Sequence, residues 1–313
     1  MTRRPLLALL LVLAAGLVGC DTAATTPESQ VVVEAYLQAN APMDSIRLTR
    51  SVGTQGAYVP SEAAIRNAEV TVRRLNDDGT PAATIPYRES ASGVYAPAPT
   101  PRPLVQPLTT YELSVTTPDG AEVTARTTVP DTLSIVDSKN EEVVYQSQPQ
   151  PTFTVTPPRS ARAGQAVLVL TTTSLVDFGR PESQLRDRLT PFYEEDYDPE
   201  EDNVRSFRQT SSGVLNEANF TQDDAGRITT KLPWISVAFY GPNRVAVHVI
   251  DENLYDLVRS QQAQTPGQGG GGLGPGEIPN VIEHVEGGTG IFGSYARDAR
   301  EVTIQRPASD PLE

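Results

Sequence analysis

The sequence has 313 residues, a formal charge of −14 and 38% apolar residues. So acidic a surface excludes nucleic acid as a partner, because that binding rests on cationic contacts to phosphate, and it is repelled by anionic headgroups. Its one cysteine, Cys20, leaves no disulfide and no structural thiolate site, so the fold must rest on its core. About 290 residues suffice for two domains of ordinary size.

The chain opens on the positive Met1-Thr2-Arg3-Arg4, then an apolar run from Pro5 to Leu17. That order predicts a secretory signal over residues 1–19. The run is about a dozen residues, short of the roughly 20 that a helix needs to span a bilayer. It ends in Leu17-Val18-Gly19-Cys20, which resembles a bacterial lipobox. The resemblance implies cleavage between Gly19 and Cys20, a diacylglycerol on the Cys20 thiol and an acyl chain such as palmitate on its new amino group. Two chains already give stable anchoring. Residues 20–30 then form the lipidated cysteine and a polar tether. Ten residues reach at most roughly 33–36 Å, which keeps the first folded part near the membrane.

From Val31 the pattern is β. Val31 to Leu37, Ser45 to Arg50, Ala68 to Arg73, Thr110 to Thr116 and Ala121 to Val129 read as short strands. Turn signals stand at Asn76-Asp77-Asp78-Gly79 and Pro118-Asp119-Gly120, the latter between two alternating runs. Together they predict an Ig-like or transthyretin-like antiparallel β-sandwich over residues 31–130. The prolines at 97, 99, 101, 103 and 107 predict an extended surface loop. Val129-Pro130-Asp131 marks the expected boundary to a second, mainly β domain over 131–306, followed by a tail at 307–313. Its expected strands are 151–156, 165–173, 227–232, 234–240, 244–250 and 301–304, with Gly241-Pro242-Asn243 as a turn. Asp251 reads as the N-cap of a short helix with Leu254, Leu257 and Val258 on one face. Residues 176–204 break the pattern, and 266–276 read as a glycine-rich flexible loop. The fold class expected is therefore all-β with one short helix.

The lipobox, Val32-Val33-Glu34-Ala35-Tyr36, Ile46 to Ser51, Ala68 to Val72, Tyr111 to Val115 and Asp119-Gly120 follow one another in order. Near the end stand Asn280, then Gly287-Gly288-Thr289-Gly290-Ile291-Phe292-Gly293-Ser294-Tyr295. This order resembles the lipoproteins of Bacteroidota grouped as domain of unknown function 4249. The resemblance implies a lipid-anchored protein of the outer membrane, on its periplasmic or cell-surface face. It also implies a possible partnership with a TonB-dependent receptor. It brings no activity, cofactor or functional residues.

The acidic run Glu194–Asp202, with Asp196, Asp198 and Asp202 as candidate ligands, reads as a solvated loop; calcium is the alternative, although the spacing of a known calcium loop is missing. His248 and His284 are the only histidines, and a packed or surface strand position is expected for His248 rather than a ligand role. No His-Glu-x-x-His and no Gly-x-Ser-x-Gly is present. Gly287–Gly293 reads as a place where backbones pack closely or take positive φ. No catalytic set and no cofactor is expected. The sequence thus points to a non-enzymatic envelope lipoprotein, an accessory or ligand-presenting partner of an uptake receptor for an unknown small ligand. A structural or adhesive surface protein is the alternative, and a hydrolase a third.

Overall fold

The computed structural model describes residues 29–52, 59–157, 167–200, 202–215, 220–264 and 282–308. Cys20, Gly19 and the glycine-rich loop lie outside these residues. The first half contributes β1 Val31–Gln38, β2 Ile46–Arg50, β3 Glu69–Leu75, β4 Pro81–Ala91, β5 Val94–Pro97, β6 Thr110–Thr116 and β7 Glu122–Thr128. Alternation decides which face each presents. Val31, Val33, Ala35 and Leu37 of β1, Val70 and Val72 of β3, and Tyr111, Leu113 and Val115 of β6 are buried. The residues between them are half-buried or exposed. The expected hairpin closes with Gly120 at φ +87 and Thr116 opposite Glu122.

The second half adds β8 Ile135–Lys139, β9 Glu142–Val144, β10 Thr152–Val155, β11 Leu168–Ser174, β12 Gln209–Val214, β13 Phe220–Gln222 and β14 Ile228–Lys231. After these come β15 Gly241–Ile250, β16 Val285–Glu286 and β17 Thr289–Gln305. The chain is all-β with few helices. A mixed sheet runs β12-β11-β15-β17-β1-β2-β5-β4-β3-β6-β7-β16, with β9 also on β17, and a smaller sheet runs β13-β14-β10-β8. Strands β11 and β15 are buried on both faces, which explains their nearly continuous apolar runs. Phe153, Val155 and Ile228 of the small sheet share one core with Leu168, Leu170, Val245 and Val247 of the large one.

Strand β17 joins the two halves. Its first part pairs in parallel with β1, from Val32 opposite Thr289 to Gln38 opposite Tyr295. Its second part pairs antiparallel with β15, from Ile250 opposite Tyr295 to Gly241 opposite Ile304. Just before it, Val285 of β16 lies opposite Ala125 of β7. The segment 285–295 therefore closes the ring of first-half strands between β7 and β1. The chain leaves that ring at Val129-Pro130, but hydrogen bonding does not separate residues 31–130 from 131–306, and one core cluster runs through both.

Between β1 and β9 the edge of β17 is bridged by side chains. The Asp298 carboxylate accepts the Ile135 N–H at 2.8 Å, and Arg300 donates to the Ile135 carbonyl at 2.6 Å. These two contacts fasten β8, and with it the small sheet, to β17.

Two expectations are corrected, and one strand was not expected. Residues 234–240 are not a strand: Ser236 donates its hydroxyl to the Pro233 carbonyl at 2.7 Å, closing a 3-10 turn at Trp234–Ser236, and only Phe239 makes a bridge, to Leu189. Gly241-Pro242-Asn243 is the start of β15 rather than a turn, because the end of β17 extends its pairing there. The segment 81–91, with Pro81 and Pro86, forms the 11-residue β4; Pro86 sits opposite Thr71 and its carbonyl accepts the Ala98 N–H at 2.8 Å.

Candidate functional site

The residues singled out in the sequence do not converge. Asp196 ends a short helix, Pro191–Asp196, and is exposed. Asp198 and Asp202 hold their own loop: the Asp202 carboxylate accepts the Asp198 N–H at 3.0 Å, and the Asp198 carboxylate accepts the Glu200 N–H at 2.8 Å. Among the described residues no group of three His, Cys, Asp or Glu is placed to hold a metal ion. His248 is buried in β15, where its Nε2 lies 2.8 Å from the Thr171 hydroxyl and its ring 5.5 Å from that of Tyr295. Burial, and secondarily Arg297, lower its pKa to about 4, so the ring is neutral near pH 7. It is a packed cross-strand tie.

The Gly287–Gly293 stretch is the seam of the fold. A Cβ on Gly290, at φ +104, would lie 2.1 Å from the Val33 carbonyl oxygen. One on Gly287, at φ +76, would lie 2.1 Å from that of Glu122. Neither the space nor the backbone conformation admits a side chain, so glycine is what lets the chain pass between β7 and β1. Gly293 plays a second part, since a Cβ there would meet Leu254 of the helix Glu252–Gln264 at 2.6 Å.

That helix is moored by a buried polar knot that the sequence showed only as an N-cap. The Asp251 carboxylate accepts the Leu254 N–H at 3.0 Å and the Thr127 hydroxyl, and Thr127 is 2.6 Å from the Ser294 hydroxyl. Asn253 donates to the Arg126 carbonyl at 2.6 Å and the Phe292 carbonyl at 2.7 Å. Burial raises the Asp251 pKa to about 6 against these hydrogen bonds. The knot ties helix, β7 and β17 together.

Beside it lies a cleft of about 540 Å³ between β6, β7 and residues 283–286. Glu112 lines it, with a side chain 14% exposed, paired with Arg73 at 2.9 Å and Arg126 at 2.7 Å. Three more polar groups line it as well. His284 Nε2 is 2.8 Å from the Asp256 carboxylate, Glu283 accepts the Thr289 hydroxyl at 2.5 Å, and Glu286 accepts that of Thr124 at 3.3 Å. A guanidinium, an imidazole and three carboxylates thus line one cleft. The arrangement suits binding a ligand that carries both signs of charge. Its residues come from three distant parts of the chain, so only His284 was visible as a candidate beforehand.

The model of the family described as domain of unknown function (DUF4249) matches residues 20–301, and the chain belongs to that family. The match starts at Cys20. A search of curated proteins found no match. Among solved structures, the trypsin-activated alpha-2-macroglobulin of Escherichia coli is 12% identical with a TM-score of 0.19; the alignment covers 72% of this chain and 15% of that one, so the chain spans a small part of its length. Murine CEACAM1b is 10% identical with a TM-score of 0.17, over 89% of this chain and 100% of that chain. The outer capsid protein Hoc of bacteriophage RB49 is 8% identical with a TM-score of 0.20, over 89% and 71%.

Proposed function

We propose that this member of the family is a non-enzymatic lipoprotein of the outer membrane, an accessory or ligand-presenting partner of a TonB-dependent uptake receptor. The observation that carries the reading is the Leu17-Val18-Gly19-Cys20 motif, with the family match starting at that cysteine. A tether of ten residues then leads to β1. Lipid on Cys20 holds the β body at the membrane, and the cleft of Glu112, Arg126 and His284 is where a small zwitterionic ligand is held. Among the described residues no helix is long and apolar enough to cross a membrane.

Metabolic labelling with an alkyne fatty acid tests the anchor. The wild type is expected to take up label and fractionate with membranes, and Cys20→Ser to lose both. Unlabelled wild type in the soluble fraction overturns the reading. Gene deletion tests the receptor: uptake of one nutrient class falls, whereas unchanged growth on every nutrient tested counts against the partnership.

A further inference from the structure

The geometry points to a basic α-amino acid, of the lysine or ornithine kind, as the ligand of the cleft between β6, β7 and residues 283–286. Arg126 holds its carboxylate, and Glu283 and Glu286 hold its two cationic groups. The inference rests on the reading of this cleft as a ligand site and adds the class of ligand.

The guanidinium is the first argument. Arg73, Glu112 and Arg126 stand side by side on β3, β6 and β7. One Glu112 oxygen accepts from Arg73 at 2.9 Å. The other accepts from Arg126 twice, from Nε at 2.8 Å and from Nη2 at 2.7 Å. Two positive charges thus share one carboxylate. Nη1 of Arg126 has no partner among the described residues. The Arg126 backbone is held as well, since Asn253 of the buried knot donates to its carbonyl at 2.6 Å. A guanidinium gripped on one side, with donors open on the other, suits a carboxylate.

The two glutamates are the second. Glu286 lies opposite Thr124, and its carboxylate accepts only that hydroxyl, at 3.3 Å. The Glu283 carboxylate accepts only the Thr289 hydroxyl, at 2.5 Å. A hydroxyl brings no charge, and neither carboxylate meets a cation among the described residues. Exposed acids without an ion pair occur elsewhere, as at Glu62 and Glu69. These two differ in sharing a cleft with the guanidinium. Their segment is fastened at both ends. Ile282 N–H donates to the Ser260 hydroxyl at 3.1 Å, and Gly287 lies against the Glu122 carbonyl. The carboxylates are therefore in place before a ligand arrives, which lowers the ordering cost of binding.

Net charge is the third. Counting the partners of the lining residues, the acids are Glu112, Glu283, Glu286 and Asp256, and the bases Arg73, Arg126 and His284. The cleft is negative whichever charge His284 carries. A neutral zwitterion leaves it so, whereas a ligand with one further cation offsets the excess. A volume of about 540 Å³ is ample for such a molecule.

Isothermal titration calorimetry on the full lipidated chain in detergent tests the inference with three probes. They are L-lysine, L-norleucine, which lacks the side-chain ammonium, and cadaverine, which lacks the carboxylate. Lysine should bind at least about fivefold more tightly than either. E283Q/E286Q, at two exposed side chains, should weaken lysine at least about fivefold. R126Q should bring lysine down to the level of cadaverine. Thermal transitions check that the variants fold, and E283Q/E286Q decides the matter should R126Q unfold. Four results overturn the proposal: no heat with lysine at millimolar concentration, norleucine as tight as lysine, cadaverine as tight as lysine, or lysine binding indifferent to E283Q/E286Q. Norleucine and lysine bound equally, and both lost in R126Q, defeat this inference and spare the cleft as a zwitterion site. Silence with all three probes defeats both, and the fatty-acid labelling of Cys20 judges the anchor independently.

Discussion

The ring of first-half strands and the tip at residues 191–196 follow opposite rules. In the ring, each strand buries alternate side chains, Glu112 sits between Arg73 and Arg126, and the turns carry the glycines their backbone requires. The tip buries none of its six residues, and three of them are the exposed acids Glu194, Glu195 and Asp196. Burial and strand pairing fix the ring, whereas the tip adds only the half-buried Tyr193 to a small separate cluster.

Substitutions can break or sharpen this contrast. The largest effect is expected at the seam. Gly290→Val puts a branched side chain 2.1 Å from the Val33 carbonyl oxygen at φ +104, and should cost more than about 4 kcal/mol or abolish folding, read as a loss of the cooperative thermal transition. Next is the buried knot: Asp251→Ala removes the helix cap and strands the Thr127 and Ser294 hydroxyls, for about 2–4 kcal/mol by urea unfolding.

The same aspartate gives a pH signature. Its pKa is raised by burial to about 6 from 3.8, so carrying its charge opposes the fold above pH 6, and that opposition fades as pH falls toward 3.8. His248 acts in the other direction. Its pKa is lowered by burial to about 4 from 6.5, so the unfolded chain takes up the proton first and stability is lost between pH 6.5 and 4. Each contribution is about 3 kcal/mol at 1.36 kcal/mol per pKa unit, and the two nearly cancel. Relative to wild type, Asp251→Asn should therefore become less stable as pH drops from 7 to 4.5, and His248→Gln more stable. Parallel pH profiles for all three proteins would refute the assignment.

Smaller still is Asp298→Ala, which leaves the Ile135 N–H without its acceptor and loosens the small sheet by about 1–3 kcal/mol, visible as faster amide exchange in β8. The smallest effect belongs to the tip: F192S/E194K should shift stability by no more than about 0.5 kcal/mol in the same urea titration. A large loss there would erase the contrast.

Local pattern revealed what is local. Alternation placed β1, β2, β3, β6 and β7 within a residue or two, and Asp251 marked the helix start. It missed β4, because Pro81 and Pro86 argue against a strand unless the partners are known. It read 234–240 as a strand, because its apolar residues serve a turn and a single bridge instead. Nothing local announces that Val33 meets Gly290, or that Glu112, Arg126 and His284 share a cleft. Those meetings depend on pairing between residues more than a hundred positions apart. The glycines of the seam were the one readable trace, since a residue type that only close backbone approach demands is visible without its partner.

The parallel run of β1 against β17 also fixes how the molecule bears a mechanical load. A pull between the start of β1 and the far end of β17 enters β1 at Val31 and leaves through the second part of β17. The two strands are then drawn past each other along their length, and all the rungs from Val32–Thr289 to Gln38–Tyr295 resist together rather than opening one at a time. Loaded in this direction, the fold should hold its native state under forces that would unzip an ordinary hairpin.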